Sequence, residues 1–322
     1  MSNWTAKKTD KFKPHTWFSN PNLQTILPHL FRKPTIPAFV RERFHLSDGD
    51  FVDLDFCCNS NSTVCLILHG LESSSNRGYI AGMANNILSN QMDAVVLNFR
   101  GCSDETNLNF KSYNSGYTGD VIEVLHYLKT KYDSINLIGF SLGGNVALKL
   151  CGETPEIAKK LIQKTVAISV PCDLQDAAET LQTPKNKIFH DRFLKSLKNK
   201  LFIKQPQFPD LLKTQEITEI DSLVAFDDYY TARAFGFKNA LDYYQRSSSK
   251  QYIKDIDVPT LIITAQDDPF FTTKSQPYYE SDQNNSVTLI TPKNGGHVGF
   301  MTKIKAKTYW HEQLAIEFLE GK

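Results

Sequence analysis

A chain of 322 residues, 41% of them hydrophobic, with 36 basic and 35 acidic side chains and a formal net charge of +1, has the length of one large α/β domain carrying an insertion. The charges are spread without long runs of one sign, so the electrostatic footprint of a nucleic-acid or anionic-membrane binder is missing, and small, largely neutral partners are expected. Six cysteines, at 57, 58, 65, 102, 151 and 172, show neither the regular spacing of a disulfide framework nor a C-x-x-C pair, which predicts reduced thiols in the cytoplasm.

The N-terminus, MSNWTAKKTDKFKP, is polar and lysine-rich and lacks the apolar stretch of a secretory signal, so no export is expected. Residues 1–40 are read as an N-terminal arm, proline-interrupted from residue 12 onward. An antiparallel pair should follow, Phe39 to Leu46 and Phe51 to Cys57, joined at Asp48-Gly49. Short β-branched or apolar runs then recur at Thr63 to Leu68, Ala94 to Asn98, Ile135 to Ile138, Thr165 to Val170, Thr260 to Thr264 and Ser286 to Thr291. Helical spacing lies between them at Tyr79 to Leu88, Tyr117 to Lys131 and Leu142 to Cys151. This alternation predicts an α/β fold with a mostly parallel central sheet flanked by helices.

Residues 171–255 break the alternation: they are helix-prone, lysine-rich and heavy in Phe and Tyr, and are read as a helical cap inserted within one domain, 1–322. Most of its aromatic side chains should form the cap's own small core, with a minority left for a pocket wall. The longest apolar runs, such as Val64 to Leu68, are strand-length, well short of the roughly 20 residues that span a bilayer. No repeat or low-complexity tract is visible.

Gly139-Phe140-Ser141-Leu142-Gly143 matches G-x-S-x-G directly after the predicted strand INLI and directly before a helical run, the context of a nucleophile elbow. There the serine takes a strained turn, and the flanking glycines let strand and helix approach without a Cβ clash. A hydroxyl is a weak nucleophile at neutral pH, so it needs a base, and the base needs a carboxylate that fixes its tautomer.

Both groups are available in the chain order Ser, Asp, His. Asp267-Asp268 follows the predicted strand VPTLIITA, and His297 follows the strand SVTLIT. Asp268 is favoured because Ala265-Gln266-Asp267-Asp268 lines up with the usual G-x-x-D spacing. Asp267 is the alternative acid, its competing role being to hold the turn before Pro269, and Asp173 could also serve in principle.

Among the other histidines, His15, His29, His45, His126, His190 and His311 fail on position and take structural roles by default. His69 opens the loop His69-Gly70-Leu71-Glu72 after the strand TVCLIL, where an oxyanion loop belongs, and should prop that loop. The main-chain N–H groups of Leu71 and Leu142 are the expected oxyanion donors. Dinucleotide, P-loop and zincin motifs are missing, so no cofactor and no metal are implied. Cys102, with no elbow around it, is read as a packed or loop cysteine.

These motifs resemble the YheT-like branch of the α/β-hydrolase fold, which also includes the mammalian ABHD1/ABHD3-type proteins and yeast medium-chain ester-forming and ester-hydrolysing enzymes. The matching runs are NPNLQTILP ending at Pro28, HGLESS from His69, NFRGCS from Asn98, SYNSGYTGD from Ser112, GFSLGGN from Gly139, ISVPCDL from Ile168, DDPF from Asp267 and GGHVGF from Gly295. They cover nearly the whole chain outside the cap. The resemblance implies Ser141, Asp268 and His297 as charge-relay residues and an ester substrate with a short or medium acyl chain. Ser73 and Asp104 stand where the family usually has glycine, which bears on substrate shape rather than on the triad.

The leading functional expectation is therefore a serine carboxylesterase acting through an acyl-enzyme on a small ester, lipid-like esters included. The same residues would serve acyl transfer to an alcohol or cleavage of a lipid acyl chain by a phospholipase. A non-catalytic binding scaffold is the remaining alternative, since fold does not imply function.

Overall fold

The computed structural model describes residues 12–14, 19–303 and 306–322; His15 and the other residues of the predicted arm at 1–11 and 15–18 lie outside them. Eight strands form one sheet: β1 (Val40–His45), β2 (Phe51–Cys57), β3 (Thr63–Leu68), β4 (Asp93–Asn98), β5 (Ser134–Phe140), β6 (Lys164–Ile168), β7 (Thr260–Ile263) and β8 (Val287–Ile290). They are ordered β1-β2-β4-β3-β5-β6-β7-β8. The hairpin β1–β2 and its junction with β4 are antiparallel, and every later pairing is parallel. Strands buried on both faces read as unbroken apolar runs rather than alternating ones, which is why TVCLIL and TLII stand out in the sequence.

The longer helices are α1 (Pro21–Phe31), α2 (Gly78–Ser89), α3 (Gly119–Lys129), α4 (Leu142–Glu153), α5 (Pro155–Leu161), α6 (Leu174–Leu181), α7 (Lys187–Lys204), α8 (Ala240–Ser247) and α9 (Trp310–Glu320). Successive residues of β3 point to opposite faces. Leu66 and Leu68 pack with Val121 and Val124 of α3 and Val146 of α4. Cys65 and Ile67 pack with Ile80 and Met83 of α2 and Leu314 of α9. The sheet is thus covered on both sides, as the alternation of predicted elements required.

Within the predicted arm, α1 begins where Asn20 accepts the N–H groups of Asn22 and Leu23 at 2.9 and 3.2 Å, and Pro21 occupies the first turn. Both features favour a helix start. At the hairpin, Gly49 adopts φ +80°. The buried guanidinium of Arg100 joins this turn to α3, reaching Asp48 at 2.8 Å, Asp50 at 3.1 Å and Asp120 at 2.6 Å.

Between β6 and β7 the chain is helical. It builds a second apolar cluster from Leu194, Leu201, Leu212, Ile217 and Phe226, onto which Phe270 and Phe271 pack. Of the twelve aromatic residues that the sequence offers between Phe189 and Tyr252, Phe189, Phe193, Phe226, Tyr243 and Tyr244 face the cavity described below.

Candidate active site

Ser141 sits between the end of β5 and the start of α4, with φ 52° and ψ −117°. Such a backbone conformation is costly for a residue with a side chain and persists only where its surroundings hold it. Two glycines make the turn possible. A Cβ on Gly139 would lie 2.4 Å from the Gly143 carbonyl oxygen, and one on Gly143 would lie 2.4 Å from that of Leu68. The Ser141 N–H donates to the Ile168 carbonyl at 2.8 Å, fixing the turn to β6.

The His297 loop follows β8. Nε2 of His297 is 2.9 Å from Ser141 Oγ, and its Nδ1 is 2.8 Å from Asp268 Oδ2. The second carboxylate oxygen of Asp268 accepts the Phe270 N–H at 3.0 Å, which orients the acid toward the imidazole. Phe270 stacks on the His297 ring with centroids 4.0 Å apart. The structure therefore brings Ser141, His297 and Asp268 into one hydrogen-bonded row.

Asp267 faces elsewhere. Its carboxylate accepts the Gly296 N–H at 2.9 Å and the Asn294 amide at 3.2 Å, so it braces the histidine loop, and burial raises its pKa. Asp173 is also apart from the row, accepting the Asp176 N–H as the cap of α6.

Sequence reasoning missed the contribution of α1. Thr25 Oγ1 accepts the His297 N–H at 2.9 Å, and Gln24 exchanges two hydrogen bonds with the main chain of Met301, at 3.0 and 2.8 Å. Gly299 and Gly296 lie so close to α1 that a Cβ on either would meet main-chain oxygens of Gln24 and Pro21 at 2.1 and 2.6 Å. The signal was available in the family-like run NPNLQTILP, but its partners are more than 270 residues away. Ser169 adds a further brace, its hydroxyl accepting the Val298 N–H at 2.9 Å. Val298 itself has φ 59°, a strained value for a β-branched residue.

On the other side of Ser141, the Gly70 N–H donates to Tyr79 and the Glu72 N–H to Tyr113, each at 3.0 Å. The N–H groups of Leu71 and Leu142 donate no hydrogen bond among the described residues, and both residues line the cavity. His69 is fully buried, with Nδ1 2.8 Å from the Gly70 carbonyl and Nε2 accepting the Phe99 N–H at 3.2 Å. Burial pushes its pKa down to about 4, so it is neutral and bonded to the loop it was expected to prop.

Glu72 ties this loop to α7. Its carboxylate is 2.8 Å from Lys200 Nζ and accepts the hydroxyls of Tyr113 and Ser196 at 2.7 and 2.5 Å. Cys102 is buried, with Lys200 Nζ 3.0 Å from its sulfur and its thiol pKa raised by burial. Ser73 bonds Tyr79 at 2.7 Å, whereas Asp104 pairs with Arg41 on β1 at 2.5 Å.

The row opens into a cavity of about 420 Å³ whose walls include Leu71, Leu142, Leu174, Phe189, Leu223 and Val298. The apolar part of its lining suits a hydrocarbon chain, and charged side chains, among them Arg77, Arg192, Glu72 and Asp227, line it as well. No helix among the described residues is long and apolar enough to cross a membrane.

A family profile described as alpha/beta hydrolase fold matches residues 63–304. YheT of Escherichia coli (strain K12), named as a candidate esterase, is 33% identical over 316 residues, covering 95% of this chain and 91% of that one. The human phospholipase ABHD3 is 29% identical over 317 residues, covering 92% of this chain and 75% of its own. The Pyrococcus furiosus esterase Pf2001 shares the fold, with a TM-score of 0.59 at 19% identity over 88% of this chain and 91% of that one.

Proposed function

The chain belongs to the α/β-hydrolase family, and on that premise we propose that it is a serine esterase cleaving carboxylic esters of short to medium acyl chain. The observation that carries the reading is the row Ser141 Oγ, His297 Nε2 and Nδ1, Asp268 Oδ2, with spacings of 2.9 and 2.8 Å, at the base of an apolar cavity. Similarity to proteins named as an esterase and a phospholipase supports an ester as the bond attacked.

In the proposed reaction Ser141 Oγ attacks the ester carbonyl while His297 Nε2 takes its proton. Asp268 holds the imidazole in the tautomer with hydrogen on Nδ1 and stabilises the imidazolium. The oxyanion is received by the main-chain N–H groups of Leu71 and Leu142, a contribution of about 3 kcal/mol per donor in such sites. His297 then returns the proton to the leaving alkoxide, and water attacks the acyl-enzyme by the reverse sequence. The segment 171–255 acts in this reading as a cap over one domain, 1–322, with 1–40 as an N-terminal arm whose helix α1 steadies the histidine loop.

A panel of p-nitrophenyl esters from acetate to palmitate, with Ser141→Ala as the blank, tests the substrate class. The expected optimum lies at short to medium acyl chains. An optimum at palmitate, or hydrolysis retained by Ser141→Ala, would overturn the reading.

A further inference from the structure

Two guanidinium groups line the cavity with no carboxylate to neutralise them. Arg32, Arg41, Arg43, Arg100 and Arg246 each pair with an Asp or Glu, and Arg233 donates to the carbonyls of Tyr229 and Leu211. Arg77 and Arg192 have neither kind of side-chain partner among the described residues, yet both face the cavity that contains Ser141 and His297. Arg77 immediately precedes α2 and is half-buried, while Arg192 projects from α7 at the exposed rim.

The arrangement is organised. Arg192 Nη2 donates to Nε2 of His29, on α1, at 3.0 Å. A ring nitrogen that accepts this bond is unprotonated, and burial together with Arg192 and Arg77 lowers the His29 pKa accordingly. Burial and the Arg77 charge likewise lower that of Arg192.

Two carboxylates also line the cavity, but both are engaged elsewhere. Glu72 is held by Lys200, Tyr113 and Ser196, and Asp227 accepts the hydroxyls of Thr231 and Tyr244. Like charges sharing one cavity wall repel, although solvent screens the exposed Arg192, and an anion bound by both would relieve that cost. A phosphate-type oxygen cluster matches two forked guanidinium donors in both charge and geometry.

We infer that Arg77 and Arg192, the latter oriented by His29, form a subsite for a phosphate-type anion carried on the leaving group of the ester, while the apolar inner cavity takes the acyl chain. The inference rests on the serine-esterase reading above. It assigns the more exposed part of the cavity to the leaving group, because Arg192 is exposed and Arg77 half-buried, whereas the apolar lining residues Leu223 and Phe226 are buried.

The test compares kcat/KM for monohexanoyl glycerol phosphate with that for monohexanoyl glycerol, both kept monomeric. Two charge-assisted contacts predict a preference of about tenfold for the phosphate ester, expressed mainly in KM and shrinking as salt is raised. In the double variant Arg77→Gln/Arg192→Gln the ratio should fall to about one, and lysine at both positions should restore part of it. A wild-type ratio near one, or a ratio unchanged in the double variant, overturns the inference while leaving the esterase reading intact.

Calorimetric titration of Ser141→Ala with glycerol phosphate and with inorganic phosphate provides a readout independent of turnover. Glycerol phosphate should bind, and binding should be lost when both arginines are also replaced. Binding of inorganic phosphate alone would reassign the site to free anions and overturn the leaving-group role. Arginine-dependent phosphate binding in a protein that cleaves neither ester would instead place the failure in the esterase reading.

Discussion

The hydroxyl of Thr25 accepts the main-chain N–H of His297 at 2.9 Å, joining residues 272 positions apart in the chain. The candidate base is therefore held from two directions, through its ring by Asp268 and through its main chain by α1. Thr25→Val keeps the shape and removes the acceptor, leaving an N–H unmatched at a cost of about 1–3 kcal/mol. The expected result is a kcat lowered about tenfold with KM little changed, while Thr25→Ser keeps the wild-type kcat. Full activity in Thr25→Val would show that α1 does not position the histidine.

The two adjacent acids should separate sharply. Asp268 meets Nδ1 of His297 at 2.8 Å, so Asp268→Asn is expected to lower kcat about 10⁴-fold through the wrong imidazole tautomer. Asp267 instead accepts the Gly296 N–H, and Asp267→Asn retains one carbonyl oxygen for that bond. It should cost about 1 kcal/mol of stability and leave kcat within about tenfold of wild type. Steady-state kinetics with p-nitrophenyl butyrate distinguishes the two, and the reverse ranking would move the acid role to Asp267.

Arg100 is the main electrostatic tie between the hairpin turn and α3. Removing one partner of a buried ion pair strands the other charges in a poorly solvated site, and Arg100 serves Asp48, Asp50 and Asp120 together. Arg100→Met should destabilise the protein by about 3–5 kcal/mol, read as a lowered urea midpoint. A midpoint within error of wild type would contradict this role.

Asp227 supplies a pH signature. Burial pushes its pKa from 3.8 up to about 6, the bonds from Thr231 and Tyr244 lower it in part, and the charge of Asp228 raises it. The folded protein then holds this proton more tightly than the unfolded chain does. Its stabilising contribution is complete below about pH 4 and is lost as pH rises through about 6, a fall of about 3 kcal/mol. Subtracting the urea stability of Asp227→Asn from that of wild type across this range should reveal the fall. A flat difference would contradict it.

Much of this architecture was legible because local rules and the global fold agree. The runs that became β3 to β8 were recognisable since parallel strands covered on both faces are continuously apolar, and Ser141 was marked by glycines that the close approach of β3 and α4 requires. The carboxylate that meets His297 Nδ1, that of Asp268, stands at the spacing after β7 that favoured it in the sequence. The bracing of the His297 loop by Thr25, Gln24 and Asp267 was not legible, because it depends on hydrogen bonds between distant segments that no local pattern encodes. Strand ends drifted for a physical reason: Thr165 to Val170 was expected as one strand, but β6 stops at Ile168 since Ser169 turns to φ 52° and delivers its hydroxyl to Val298.

The central claim is that Ser141 is a nucleophile activated by His297. Incubation with a fluorophosphonate probe, followed by mass spectrometry of the modified peptide, tests it most directly. The account predicts one adduct on Ser141, lost in Ser141→Ala and strongly slowed in His297→Ala. No labelling of the wild type, or equal labelling of wild type and Ser141→Ala, would contradict it.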